Sequence, residues 1–570
     1  MILGIDLGTT NSAAGIWRNG RAELIPNSLG NLLTPSAVSI ADDGRVVVGL
    51  AARERQVTHP ERTATAFKRY MGSARMIALG QTRYSPEELS AFVLRSLKAD
   101  AEHHLGIPIT DAVITVPAYF NDKQRKATKR AGELAGLRVD RLINEPTAAA
   151  LAYGIHETGR ETRFLVFDLG GGTFDVSVLE IFEGVIEVRA STGDNRLGGE
   201  DFNEVLIEMM LEHCRKEWRL PPNSPRSAAL YQRVRAEAER TRRALSQAEQ
   251  ATMSVAYNGK VAELAIAADV FEQSCESLMQ RLRDPVVRAL KDGGIDVNQL
   301  DSIVMVGGAT RMPLVRRAVT KMFGRFPDTR LNPDEAVALG AAVQAGLKQR
   351  DAALKEVVLT DVCPYTLGVE IAEMVRGAGL RGGIFAPIIE RNTIVPASRS
   401  KQFTTLVDGQ PYVKVDVYQG EARLVSDNVK LGQLNVPVPP RPAGEVAIDC
   451  RFSYDISGLL EIDVHVPMTD EHHQLVILDD SEGMSSEEVQ RRRERLAALK
   501  MHPREEHANV AALARGARCF EEALGDERAM IGRWILQFEG TLERQIPREI
   551  EQARTALMKA LDSIDGKVFL

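Results

Sequence analysis

The chain runs into the same short motif twice. Ile5-Asp6-Leu7-Gly8-Thr9-Thr10 and Phe167-Asp168-Leu169-Gly170-Gly171-Gly172-Thr173 each carry an apolar strand to an aspartate and then into a Gly/Thr-rich hairpin turn. A motif that recurs at the start of two halves points to a duplicated fold with a shared cleft. Around it, residues 1–354 read as α/β, short apolar strands ending in glycine turns and alternating with amphipathic helices.

Each turn has two readings. Gly8 allows close backbone approach, and the successive N–H groups with the Thr9 and Thr10 hydroxyls and Asn11 can donate to phosphate oxygens. A lone Asp-Leu-Gly-Thr-Thr is equally well a plain β-hairpin turn. Two such turns facing one another, each behind an aspartate, suit Mg²⁺–ATP, because Mg²⁺ keeps several waters and carboxylates can reach it through them. Val306-Gly307-Gly308-Ala309-Thr310-Arg311 is a strand entering a Gly-Gly turn and then a helix, a weaker nucleotide-type signal, in which Arg311 could stack on a purine. Lys68, Glu145 and the charged stretch holding Glu239, Arg242, Arg243 and Ser246 carry no signal of their own. By composition they are a surface lysine, a carboxylate favoured at a helix start and a solvated face. There is no Walker A sequence and no His/Cys metal cluster.

At 570 residues the chain is too long for one core, since single cores stop growing beyond about 250–300 residues. Residues 355–361, Lys355-Glu356-Val357-Val358-Leu359-Thr360-Asp361, read as a linker, and from 362 to 480 the pattern changes to period two. Val413-Lys414-Val415-Asp416-Val417-Tyr418 is an example, and turn clusters such as Pro437 to Pro442 separate the strands. This predicts an antiparallel β-sandwich. Residues 481–570 read as a short α-helical segment opened by the capping box Ser485-Ser486-Glu487-Glu488, with Val489, Leu496 and Leu499 at helical spacing. A net charge of −7 argues against nucleic acid as the main partner. No apolar run approaches the roughly 18 residues of a membrane span. The five cysteines are dispersed without a C-x-x-C pair, which fits a reducing compartment and predicts a cytoplasmic protein.

Six stretches then acquire a joint meaning. GIDLGTTNS at 4–12, ITVPAYFND at 114–122, INEPTAAALAYG at 143–154, FDLGGGTFD at 167–175, VGGATRMP at 306–313 and LNPDEAVALGAAVQA at 331–345 resemble, in order, the signature stretches of the seventy-kilodalton heat-shock (DnaK-like) chaperone family. DVCPYTLGVE at 361–370, with the short C-terminal part, is most similar to the bacterial HscC type. The resemblance implies an actin-like duplicated ATPase domain and an ATP-dependent chaperone that binds exposed apolar segments of unfolded clients. It also implies a J-domain co-chaperone and a nucleotide exchange factor as partners.

The roles it implies attach to particular residues. Asp6, Asp168 and Asp175 match the acidic residues around Mg²⁺ and bound K⁺. Lys68 and Glu145 match the pair that positions the attacking water and γ-phosphate, with Thr173 beside them. Gly8 to Asn11 and Gly170 to Thr173 match the phosphate loops. Glu239, Arg242, Arg243, Ser246, Gly307, Gly308 and Arg311 match the adenosine pocket. Val369, Phe403, Val413 and Val415 match the walls of a peptide side-chain pocket, and Ala372 and Leu406 match the arch over it. Pro117, Arg125, Arg141, Leu359 and Asp361 match the interdomain coupling set. The chain departs from the family pattern in its arch residues, in Thr360 where a third leucine is usual, in an insertion at Glu373 to Gly382, in an abbreviated edge near 250–265 and in its short helical part. Two rivals stand beside this reading, a small-molecule kinase on the same duplicated fold and a partner that binds ATP without turning it over.

Overall fold

The computed structural model describes residues 1–154, 161–182, 185–219, 228–328, 330–351, 354, 358–375, 379–455, 458–477 and 507–565. They divide into two compact units, Met1–Thr366 with Glu390–Val395, and Leu367–Ile389 with Pro396–Leu570.

The first unit is built on two mixed sheets. In one, β1 (Ile2–Asp6), β2 (Asn11–Arg18), β3 (Arg21–Ile25), β4 (Asp111–Val116) and β5 (Arg138–Asn144) take the order β5-β4-β1-β2-β3. In the other, β6 (Thr162–Leu169), β7 (Phe174–Phe182), β8 (Val185–Asp194), β9 (Ser302–Val306) and β10 (Val358–Val362) take the order β9-β6-β7-β8-β10. The pairings repeat. β1 runs parallel to β4 and antiparallel to β2, as β6 runs parallel to β9 and antiparallel to β7. Each Asp-ended strand is therefore central in its sheet, and the recurring turn is the connection to the antiparallel neighbour. Strands covered on both faces need near-continuous apolar runs, which Phe164-Leu165-Val166-Phe167 supplies with every side chain buried.

The helices of the first unit include α1 (Asp122–Leu134), α2 (Glu145–Gly154), α3 (Gly199–Glu217), α4 (Ala228–Leu245), α5 (Glu276–Gly293) and α6 (Ala336–Lys348), of which α2, α3, α4 and α6 line the cleft described below. α2 and α6 pack on each other, α2 also on β6 and β7, α6 also on β1 and β2. Their alanines and glycines are what allow it: a methyl on Gly340 would sit 1.6 Å from the Ala148 carbonyl oxygen. The pair thus ties the two sheets together at the ends that carry the motif.

The segment expected to be a linker has a definite place where it is described. β10 extends the second sheet, parallel to β8, with Ile186 opposite Leu359. The short strand Ile394–Val395 then pairs antiparallel with Asp361–Val362.

The second unit holds two four-stranded antiparallel sheets. Their orders are β12 (Gly379–Ile389), β11 (Leu367–Val375), β14 (Tyr412–Gln419), β15 (Val429–Pro437), and β13 (Ala397–Thr404), β16 (Ala447–Tyr454), β17 (Leu460–Val466), β18 (Glu471–Ile477). Alternation places Val415 and Val417 in the core with Cys450, Phe452, Ile462 and Val464. The insertion at Glu373 to Gly382 lengthens the β11–β12 hairpin, with Glu373 opposite Arg381 and Met374 opposite Leu380. Farther on, α7 (His507–Glu522), α8 (Gly525–Arg544) and α9 (Pro547–Asp565) cluster around Ile531, Phe538, Leu542 and Leu561. The expected capping box at Ser485 and the residues Val489, Leu496 and Leu499 lie outside the described residues. Among the described residues no helix is long and apolar enough to cross a membrane, and all five cysteines are buried and free.

Candidate functional site

A cleft of about 550 Å³ opens where β1 and β6 end. Gly8, Thr9, Thr10 and Asn11 line it from the first turn, and Gly170, Gly171 and Thr173 line it from the second. Neither turn has room for a side chain at these glycines: a Cβ on Gly8 would fall 2.0 Å from the Asn11 carbonyl oxygen of its own turn, and one on Gly171 1.9 Å from Thr10 Oγ1 of the facing turn. What remains is backbone and hydroxyl, the surface that cradles phosphate. Gly172 and Asp175 are not among the lining residues. Gly172 sits against Arg69 and Thr9, and Asp175 lies behind the wall, accepting from the Tyr119 N–H at 3.1 Å.

Deep in the cleft Lys68 Nζ donates to Glu145 Oε1 at 2.6 Å, with the residues only 3% and 8% exposed. Glu145 opens α2, and Lys68 lies in a short 3₁₀ turn, Phe67–Tyr70, entered through Ala66 in the left-handed region (φ 53°). Phe120 backs the ammonium, its ring centre 5.7 Å away. The acidic groups outnumber this one lysine. Asp6 is pushed up to about 7, first by burial and then by the charge of Glu145, with Lys68 and the Thr115 hydroxyl opposing. Asp175 is pushed up to about 8 by the same two causes, and Asp168 well above its usual range by burial and then by Glu145, Asp175 and Asp6. Asp168 Oδ2 is buried without a hydrogen-bond partner. Uncompensated carboxylates in a dry site raise one another's affinity for protons, and equally for a metal cation. The donor set, all carboxylate oxygen, fits a hard cation such as Mg²⁺ or K⁺ and not a soft transition metal.

The other end of the cleft is built by α4 and the Gly-Gly turn. Glu239, Arg242, Arg243, Ser246, Gly307, Gly308 and Arg311 all line it. Arg243 is held by Glu239 at 2.5 Å, Arg242 Nε by Asn203 at 2.7 Å, and Arg311 by Asp334 at 2.7 Å and Asn332 at 2.6 Å. Gly307 has φ 83°, and a Cβ there would meet the Leu169 carbonyl oxygen at 2.3 Å, so only glycine fits this turn.

Of the residues that the resemblance assigns to coupling, Arg125 and Asp361 are joined through Asn144. Pro117 is buried. Arg125 donates to the carbonyls of Phe120 and Ala118 and to Asn144 Oδ1. Asn144 Nδ2 donates in turn to both carboxylate oxygens of Asp361, at 3.0 and 2.9 Å. Arg141 is half-buried, with its Nε buried and unpartnered; desolvation lowers its affinity for a proton, and Asp361 opposes this. Because Glu145 follows Asn144 directly, the cleft and β10 are gripped by neighbouring residues. Arg391 and Asn392 add a second grip, both on Asp292 of α5, at 2.8 and 3.0 Å. Sequence reasoning does not single out Asn144, Thr115, Asn203 and Asp334; Asn144, Thr115 and Asp334 stand inside quoted motifs, the one sign available.

In the second unit Val369 and Val415 are buried, at 3% and 4% exposure. Phe403, Val413 and Ala372 are half-buried, and Leu406 is 43% exposed.

Residues 2–78 and 74–565 match the family described as Hsp70 protein. The DnaK chaperone proteins of Thermotoga petrophila, Thermotoga maritima and Thermotoga neapolitana are each 43% identical over 504 residues, covering 86% of this chain and 82% of theirs. With the family match running through both units, the chain belongs to the Hsp70 family of ATP-hydrolysing chaperones.

Proposed function

We propose that the cleft of the first unit, an actin-like duplicated nucleotide-binding domain, binds ATP through the two glycine turns and hydrolyses it with Lys68, Glu145 and Thr173. On this reading the antiparallel sheets of the second unit bind exposed apolar peptide segments. The observation that carries the proposal is the buried Lys68–Glu145 pair at 2.6 Å between two phosphate-sized turns.

Phosphoryl transfer needs positioning and charge neutralisation more than covalent help. Lys68 is held by Glu145 with its charge aimed into a dry site, where it offsets charge developing on a transferred phosphoryl group. Glu145 accepts from Lys68 with one oxygen, and its carboxylate is the group available to orient a water. Thr173 places a hydroxyl at the second turn, and the Arg242, Arg243 and Arg311 end would hold the adenosine. Asp6, Asp168 and Asp175 would hold Mg²⁺ and K⁺, mostly through water, and that charge would offset the phosphates' own.

For the peptide, Val413 and Phe403 would form the pocket, with Val369 and Val415 as its floor and Ala372 and Leu406 at its rim. Pro117, Arg125, Arg141, Leu359 and Asp361 would couple the two activities, with ATP and peptide shifting one another's affinity reciprocally. The working context is the cytoplasm, with unfolded polypeptides as clients and with a J-domain co-chaperone and a nucleotide exchange factor as partners. The test is single-turnover ATP hydrolysis by the full chain with and without an unfolded peptide. Hydrolysis that the peptide accelerates supports the reading; phosphorylation of a small molecule in its place overturns it.

A further inference from the structure

Tyr365 lies three residues beyond β10, in the stretch DVCPYTLGVE, and none of the roles above uses it. Its hydroxyl donates to the Tyr119 carbonyl oxygen at 2.7 Å. The two rings meet with centroids 4.4 Å apart and planes tilted by 40°. Burial, with Tyr119 and Asp175 nearby, raises the hydroxyl far above its usual range, so it remains a neutral donor. The same carbonyl also accepts from Asn195 Nδ2.

Tyr119 belongs to a tight turn, Pro117-Ala118-Tyr119-Phe120, closed by the Phe120 N–H donating to the Pro117 carbonyl at 3.1 Å. That turn touches the cleft chemistry twice. The Tyr119 N–H donates to Asp175 Oδ1 at 3.1 Å, and the Phe120 ring backs Lys68. Asp175 Oδ1 also lies close to Gly193, where a Cβ would come within 2.7 Å of it. One residue thus accepts from Tyr365 with its carbonyl and fixes a cleft carboxylate with its N–H, while its neighbour supports the cleft lysine. This contact meets the Asn144–Asp361 grip through Arg125, which donates to the Phe120 and Ala118 carbonyls of the turn and to Asn144 Oδ1.

We propose that Tyr365 is a positioning residue for hydrolysis. Docked on the Tyr119 carbonyl, it holds the Pro117–Phe120 turn where Tyr119 fixes Asp175 and Phe120 backs Lys68, so the rate of chemistry depends on whether the segment after β10 is in place. The inference rests on the ATP site proposed above.

The test uses the full chain. Tyr365→Phe removes one hydroxyl and keeps the ring, and Tyr365→Leu removes both. The expected result for Tyr365→Phe is a single-turnover hydrolysis rate lower by about fivefold to tenfold, the size of one buried hydrogen bond, with ATP affinity within about twofold of wild type. Tyr365→Leu falls further, with folding checked by circular dichroism and thermal melting. In an Asp175→Asn background Tyr365→Phe costs clearly less than it does in the wild type, because part of its effect acts through that carboxylate. A merely structural tyrosine would lower melting temperature and ATP affinity together, and its effect would add to that of Asp175→Asn. A wild-type rate in folded Tyr365→Phe, or full additivity with Asp175→Asn, overturns the proposal. If the wild-type chain does not hydrolyse ATP at all, the site reading falls and takes this inference with it, whereas normal wild-type hydrolysis with an unaffected Tyr365→Phe removes this inference alone.

Discussion

The two units of this chain carry function in opposite ways. The cleft of the first unit is marked by what proteins normally keep out of the interior. Lys68, Glu145, Asp6, Asp168 and Asp175 are buried or nearly so, and each such group costs free energy unless it is paired or needed. The second unit buries Asp416 and Glu461 as well, but Asp416 is ion-paired with Lys414 and Lys430 and Glu461 accepts from Gln474, and the residues proposed to meet peptide are apolar. Val369 and Val415 are buried like any core valine, and a pocket for apolar side chains uses the same residue types as the core behind it. Polar chemistry leaves a trace because it strains the rules of folding, while apolar recognition agrees with them and is hidden.

The comparison can be pressed from the polar side first. Lys68→Ala removes the single ammonium among the cleft carboxylates, and the expected outcome is a loss of about a hundredfold or more in single-turnover hydrolysis with ATP still bound. Hydrolysis within a few-fold of wild type would remove the lysine from the mechanism. Gly171→Ala sets a methyl against Thr10 Oγ1. It should weaken ATP binding by about tenfold or more, given an overpacking cost of about 1–3 kcal/mol, as read by nucleotide titration. Unchanged affinity would mean that the two turns do not close on phosphate.

The apolar side is expected to respond less. Val413→Phe puts a ring where a peptide side chain would enter, and peptide affinity should fall by about tenfold at a stability cost of about 1–3 kcal/mol, checked by melting. A folded variant with wild-type peptide affinity would place the pocket elsewhere in the sheets. Asn144→Ala is the smallest test. It deletes the amide that reaches Asp361 and leaves Glu145 in place, so unstimulated hydrolysis should change by no more than about threefold, the cost of a weak hydrogen bond, while the acceleration by peptide shrinks. Acceleration of wild-type size would separate Asp361 from the cleft.

The same contrast decides what could be read from the sequence. The two Asp-Leu-Gly turns and the Gly-Gly turn were legible because glycine is demanded at Gly8, Gly171 and Gly307 by contacts under 2.5 Å. The duplicated strand order followed from them. Lys68 and Glu145 were not legible alone, since a residue paired across 77 positions leaves no periodic sign; only the family resemblance brought them in. Asn144 to Asp361 and Tyr119 to Tyr365 span 217 and 246 positions and were missed for that reason. The apolar run at 357–359 suggested a tether with a docking role, and an edge strand such as β10 has the same composition. The insertion at Glu373 to Gly382 reads as a larger loop, and its described residues Glu373–Val375 and Gly379–Arg381 are strand because they pair with one another.

The central claim is that hydrolysis in the polar cleft and binding by the apolar sheets belong to one coupled machine. Release of a fluorescent unfolded peptide from the full chain, followed after addition of ATP, tests it most directly. The account predicts that ATP speeds release at least tenfold in the wild type, a coupling of about 1.4 kcal/mol, and that Asp361→Ala abolishes this acceleration while ATP and peptide each still bind. Equal release rates with and without ATP in the wild-type chain would contradict it.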